Sequence, residues 1–281
     1  MPAQPIKIPS IEQPSHSVCP AQMAIPPHLL RPLWLRGQES LHQQGLLYDP
    51  IATSACWRCQ SYSECRSNQL DREQRLYASL THVCDQLVRD FLKQYPDAYV
   101  INISSGLDTR FYRLDNGRCH WIEVDDEKNL ALKQQLFYAN ERLTLHPGKL
   151  NQTQWIAQLG IPVSSPVFIL CEQALLECAE SEVARFLQRL GYYFPHANAC
   201  VVLAGDKTKT KLAKHFGSQA YAHGLSHMSS WLAKKLPCHK GIQCYSPVRH
   251  QCKRWKSWQH ACMKLPWLKY RLTPIVAHIQ W

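Results

Sequence analysis

Acidic side chains are nearly absent from the end of this 281-residue chain: residues 206–281 contain only Asp206, beside fourteen Lys and Arg. The first 205 residues hold 18 basic and 20 acidic side chains, so the formal net charge of +11 belongs to the last quarter. No apolar run approaches the roughly 20 residues that a membrane-spanning helix needs, which excludes such a helix. The start, Met1-Pro-Ala-Gln-Pro5, lacks the basic region and apolar block of a secretory signal, and a cytoplasmic location is expected. Glycine is scarce, at 11 residues. Cysteine is not: there are thirteen, and an odd number without a secretion signal argues against a disulfide framework. Most read as reduced thiols packed like small hydrophobes, as at Cys171 and Cys200.

A composition of 45% hydrophobic and 19% charged residues is that of a globular protein with ample length for a core. Residues 1–27, with seven prolines and no sustained period, read as an extended lead-in. One or two helices are expected between His28 and Tyr48, ending before Asp49-Pro50. The stripe Leu76, Leu80, Val83, Cys84, Leu87, Val88, Phe91 and Leu92 predicts a helix over 70–95. Short strands are expected at 98–103, 119–124, 143–145, 166–171 and 199–204, with helices at 127–139 and 180–193. This alternation predicts a doubly wound, mostly parallel α/β sheet. The run 275–281 reads as a last, antiparallel strand at a sheet edge. The core is assigned to 28–206, and 207–281 to a basic segment rich in Cys, His and Trp that serves as an insertion or lid.

Acidic residues close two of the strands, Asp125 and Glu172, and the small-residue turn Ser104-Ser-Gly106 follows a third. Ligands of open α/β sheets bind at such carboxyl ends. A turn of this kind admits close backbone approach, and the next carboxylate can accept hydrogen bonds from ribose hydroxyls. These features indicate a nucleoside-containing cofactor without naming it.

The run Ser104-Ser-Gly-Leu-Asp-Thr-Arg110, followed by Trp121-Ile-Glu-Val-Asp125, resembles the leucine carboxyl methyltransferase and polyketide O-methyltransferase family. Segments 33–40 and 47–52 are similar to its N-terminal helices, and Trp155 and Ile169-Leu-Cys-Glu172 to later motifs, so the resemblance spans about 28–206. It implies a Rossmann-like class I methyltransferase using S-adenosylmethionine to methylate a carboxyl or hydroxyl oxygen. Carried over, it makes Ser104, Ser105, Gly106, Asp125, Leu150 and Glu172 the cofactor-binding residues, with no catalytic residue named. A methyl transfer of this kind depends on alignment and exclusion of water.

Several positions depart from that pattern. Ser104 replaces the first loop glycine, Gln173 follows Glu172, and Lys149 stands where an acid is usual. Leu80 and His82 occupy the places of two arginines, and Arg75 is the nearest substitute. These departures leave a second reading, a catalytically silent binding protein. The basic segment, with Lys253-Arg-Trp-Lys-Ser-Trp258 and Trp267-Leu-Lys-Tyr-Arg271, suits nucleic acid through 207–271, a membrane surface, or an anionic substrate. Its bland reading is a solvated face with core tryptophans. The preferred partner is a small-molecule acceptor. Asp108 and Arg110 read as structural. Cys56, Cys59 and Cys65, and the tail's Cys238, His239, Cys244, His250, Cys252, His260 and Cys262, match no standard zinc spacing and read as reduced thiols and imidazoles.

Overall fold

The structure is a computed structural model that describes residues 23–59, 70–249 and 254–281. Two helices open it, α1 (Pro27–Ser40) and α2 (Pro50–Trp57). Pro27 lies within α1, so the expected extended lead-in ends earlier than residue 27; residues 1–22 lie outside the described residues. Asp49 caps α2, accepting from the Ala52 amide at 2.9 Å, which is why the chain re-enters a helix at the Asp-Pro step read as a stop. The long helix α3 (Leu70–Gln94) matches its stripe: Leu76, Leu80, Val83, Cys84, Val88, Phe91 and Leu92 are all buried.

Strands β1 (Tyr99–Ile103), β2 (His120–Asp125) and β3 (Leu143–Pro147) run parallel on one side, and β4 (Val167–Cys171) and β5 (Asn198–Ala204) on the other. Helices α4 (Arg110–Leu114), α5 (Glu127–Leu136) and α6 (Glu180–Tyr193) lie between them in the chain. The end of the chain adds α7 (Lys211–Lys214), α8 (Met228–Lys235), β6 (Gly241–Tyr245), α9 (Ser257–Lys264) and β7 (Pro274–Gln280). The sheet order is β3-β2-β1-β4-β5-β7-β6. The expected last strand is therefore antiparallel, but it is not at the edge: β7 pairs with β5 on one side and β6 on the other. The edge strand β6 is half-exposed and follows Lys240, so its sequence carries little apolar signal.

Side-chain alternation explains the two-sided burial. Val100, Trp121, Phe168, Leu170, Cys200, Val202 and Val276 face α3 and α9. Ile101, Ile122, Val124, Ile169, Val201, Leu203 and Ile275 face the layer of α6 and α8. Apolar side chains on both faces are what a covered parallel sheet requires. Residues beyond 206 enter the same clusters through Phe216, Val248, Trp255, Met263, Leu268 and Leu272. Among the described residues no helix is long and apolar enough to cross a membrane.

Candidate functional site

The strand order reverses direction between β1 and β4, and this switch point opens a crevice at their carboxyl ends. Ser104 and Glu172 are the first residues past those two strands, so they face each other across it. A cavity of about 660 Å³ fills the crevice, a size ordinary for a cofactor-sized ligand. Its wall includes Ser104–Asp108 and Asn129 on one side and Glu172–Ala174 on the other, with α1 and α3 above through Leu29, Arg31, Arg36 and Tyr77.

The turn after β1 keeps a glycine-like geometry despite its composition. Ser104 has φ +52° and Gly106 φ +52°, both left-handed. Ser104 is the one non-glycine residue with positive φ among the described residues. Its amide donates to the Val124 carbonyl at 2.7 Å, which ties the turn to the end of β2. Ser105 Oγ is buried and finds no hydrogen-bond partner among the described residues. An orphaned buried hydroxyl costs stability unless a partner satisfies it.

Asp125 ends β2 and is 7% exposed. Its carboxylate accepts from the Gly106 amide at 2.6 Å, the Asp126 amide at 2.7 Å and Asn129 Nδ2 at 2.7 Å. Three donors use most of the roughly four acceptor sites of a carboxylate, so an incoming pair of hydroxyls must exchange with at least one. Gly106 and Asn129 are in the cavity wall, and Asp125 stands directly behind them.

Glu172 lines the cavity, yet its carboxylate is already engaged: Oε1 accepts from Thr81 Oγ1 at 2.5 Å and Oε2 from Arg110 Nη2 at 2.5 Å. Arg110 is the hub. Its Nε donates to Asp85 at 2.6 Å and its Nη1 to Asp108. Asp108 also accepts from Asn102 Nδ2 at 2.9 Å. Thr109 donates to Asp49 at 2.5 Å, and Arg113 pairs with both Asp49 and Asp85. The motif Leu107–Arg110 therefore locks α2, α3 and β4 to the turn at Ser104–Gly106. Burial alone would raise the Asp85 and Asp108 pKa values, but the guanidinium groups of Arg110, Arg113 and Arg36 win and hold both below the usual carboxylate range. Asp108 and Arg110 are structural in this arrangement, as their sequence context indicates.

The expected cofactor residue Leu150 and the departing residue Lys149 do not line the cavity. Leu150 packs against the apolar layer of α6 and α8, and Lys149 pairs with Asp126 at 3.2 Å on the surface. Arg75 does not take over the place of the missing arginines. It donates to the Arg254 carbonyl at 3.0 Å and stacks over Trp255, with its guanidinium 4.7 Å from the ring centroid. The reason is geometric, since Arg75 leaves α3 on the side packed by the end of the chain.

The cations that do line the cavity come from α1, and the sequence reading missed them. Arg36 is 3% exposed and donates to the Leu107 carbonyl at 2.6 Å and Tyr77 Oη at 2.8 Å. Arg31 pairs with Glu73 at the rim. The signal available was an arginine inside an otherwise buried helix face, which must find a partner. Tyr77 is pushed up by burial, and Tyr221 is pushed up to about 12 for the same reason, so both phenols stay protonated.

Among the described residues no group of three or more His, Cys, Asp or Glu is arranged to hold a metal ion. Cys56 and Cys59 are buried thiols, and Cys59 Sγ donates to the Ala55 carbonyl at 3.2 Å. Cys65, His250 and Cys252 lie outside the described residues.

Comparison with known proteins bears on this geometry. The family model described as leucine carboxyl methyltransferase matches residues 36–174. The tetracenomycin polyketide synthesis O-methyltransferase of Streptomyces glaucescens is 23% identical over 168 residues, 59% of this chain and 61% of that protein. An S-adenosyl-L-methionine-dependent methyltransferase of Gibberella zeae is 27% identical over 181 residues, covering 59% of this chain and 60% of its own length. The chain thus aligns with about three fifths of these curated relatives. A crystal structure of a DUF574 family protein from Streptomyces avermitilis shares the fold, with a TM-score of 0.58 at 10% identity, over 90% of this chain and 96% of that one.

Proposed function

Because the chain belongs to the leucine carboxyl methyltransferase family through residues 36–174, we propose that it is an S-adenosylmethionine-dependent O-methyltransferase acting on a carboxyl or hydroxyl group of a small molecule. The observation that carries this reading is the switch-point cavity bounded by the left-handed turn at Ser104–Gly106, by Asp125 behind it and by Glu172 opposite. The similar proteins, a polyketide O-methyltransferase and an S-adenosyl-L-methionine-dependent methyltransferase, support the same reading.

The residues present fit that cofactor. Asp125 supplies a carboxylate for ribose hydroxyls and Ser105 an unsatisfied hydroxyl. When bound, S-adenosylmethionine supplies an electrophilic methyl group on a sulfonium. The protein's own part is to orient and to dry the site. Leu29, Leu35, Leu76 and Leu80 from α1 and α3 cover the cavity with apolar surface and exclude water. The Arg110 hub fixes Glu172 and the turn relative to each other, so donor and acceptor meet on a rigid frame. Neither phenol in the wall releases a proton near neutral pH. That favours an acceptor already ionised, a carboxylate, over one needing a base. His28, exposed at the cavity wall, is the imidazole a hydroxyl acceptor would require.

Tritiated methyl transfer from S-adenosylmethionine to a panel of small carboxylic acids and phenols tests the proposal. A product whose label is released as methanol in mild base identifies a methyl ester. Transfer to neither class, with cofactor bound, would sink the O-methyltransferase reading.

A further inference from the structure

The end of the chain builds a second surface that the methyl-transfer chemistry does not use. After β5 the chain passes through α7 and returns to the cavity, where Gly217, Gln219 and Tyr221 form part of the wall. Gly217 is held close: φ is +82°, and a Cβ there would stand 2.3 Å from the Arg72 carbonyl oxygen. Immediately before it, Lys209, Lys211, Lys214 and His215 are exposed. The start of α9 packs beside them. Gln259 Nε2 donates to the His215 carbonyl at 2.9 Å, and Trp258 meets His215 and Phe216 edge-on at centroid distances of 6.0 Å and 5.5 Å. Lys256 is exposed next to it, and Trp258 keeps 41% of its surface open. The single acid of this part of the chain, Asp206, is taken by Arg271 through Nε at 2.7 Å.

Four lysines and a braced indole thus make a ledge where the start of α9 packs on His215, just before the chain enters the cavity wall at Gly217, with no acid of their own segment left to neutralise them. We propose that this ledge binds single-stranded nucleic acid, its phosphates on Lys209, Lys211, Lys214 and Lys256 and one base stacked on Trp258. Interleaved cations and a rigid aromatic face are the combination that holds a strand without reading its sequence. A small anionic substrate needs fewer cations than this. A bilayer would use protruding apolar side chains instead, and Leu265 and Trp267, beyond the other end of α9, are the residues it would engage.

The test uses the full chain and a fluorescein-labelled 20-nucleotide oligo(U), read by anisotropy across a salt series. Four phosphate contacts give a slope of log affinity on log salt of about −3. Lys211→Glu with Lys214→Glu lowers affinity at least tenfold and about halves the slope. Trp258→Ala weakens binding about tenfold, whereas Trp258→Phe retains most of it. Thermal melts of each variant confirm that it is folded. No binding at about 50 mM salt and tens of micromolar protein overturns the proposal, and so does binding indifferent to the lysine reversals. Recruitment to phosphatidylserine vesicles with no oligo(U) binding also overturns it, in favour of the bilayer. The ledge requires no cofactor, so titration of the same variants with S-adenosylmethionine separates a failure here from a failure of the methyltransferase reading.

Discussion

Ser104 and the residues around Arg110 show how a motif can be recognised for one reason and retained for another. A serine at φ +52° carries a left-handed cost of about 1–2 kcal/mol, whereas a glycine there loses about 0.4–1 kcal/mol through its freer unfolded chain. The first term is larger, so Ser104→Gly is expected to stabilise the fold by about 0.5–1 kcal/mol, read as a rise of a few degrees in Tm. Arg110 is the opposite case. Replacing it with Met strands Asp85, Asp108 and Glu172 in a buried site, and a loss of about 3–5 kcal/mol is expected in urea unfolding. The sequence made Leu107–Arg110 legible as a motif, but not its partners. Asp49 caps α2 and Asp85 lies in α3, and only the folded chain brings Asp49 to Thr109 and Asp85 to Arg110.

The same scale sets the response to pH. His223 accepts the Ala204 amide at 3.0 Å through Nε2, so Nδ1 carries the proton and donates to the Cys178 carbonyl at 3.0 Å. Burial lowers its pKa below the ordinary 6.5. The unfolded chain then binds more protons than the folded one just below pH 6.5, and stability falls as pH drops through that window. A second decline is expected below about pH 4, because Asp85 and Asp108 have folded pKa values beneath their unfolded ones. Urea midpoints measured from pH 3 to 8 check both, and His223→Gln should flatten the upper decline. A midpoint that stays level from pH 7 to 5 would contradict the His223 assignment.

Among the elements, α3 and the five parallel strands were legible because their apolar periods are strong and local. The end of the chain was not. β6 is a half-exposed edge strand, and α7 has four residues, too few to show a period. Only β7 carried a clear pattern, and pattern alone could not say that a later strand would be inserted between β5 and β6. Trp255 and Trp281 proved to be core, whereas Trp258 and Trp267 are exposed, so neither uniform reading of the tryptophans holds. Gly217 is where the element after β5 depends on one residue. Gly217→Ala combines a forbidden φ with a clash against the Arg72 carbonyl. A loss of about 2 kcal/mol or more is expected, together with weaker cofactor affinity as the cavity wall moves off α3. A variant that melts like the parent would show that the wall tolerates the shift.

Across the whole molecule, the charge asymmetry read from the sequence resolves into a neutral-to-acidic sheet core with its buried ion pairs and a basic flank built by the residues after β5. The loop, Asp125 and Glu172 meet as their strand-end positions indicated. Leu150 does not join them, since it faces the far layer of the sheet. The arginines of α1 reach the cavity from more than sixty residues away in sequence, a contact that no local spacing reveals. The turn, Asp125 and Glu172 converge on the crevice between β1 and β4 that is proposed to take the cofactor, and calorimetric titration of the protein with S-adenosylmethionine, alongside Asp125→Ala, tests it most directly. Micromolar binding by the parent and at least tenfold weaker binding by the variant are expected, from the loss of charge-assisted hydrogen bonds of about 1.5–3 kcal/mol each. No binding by the folded parent at millimolar cofactor, or equal binding by both proteins, would contradict the assignment.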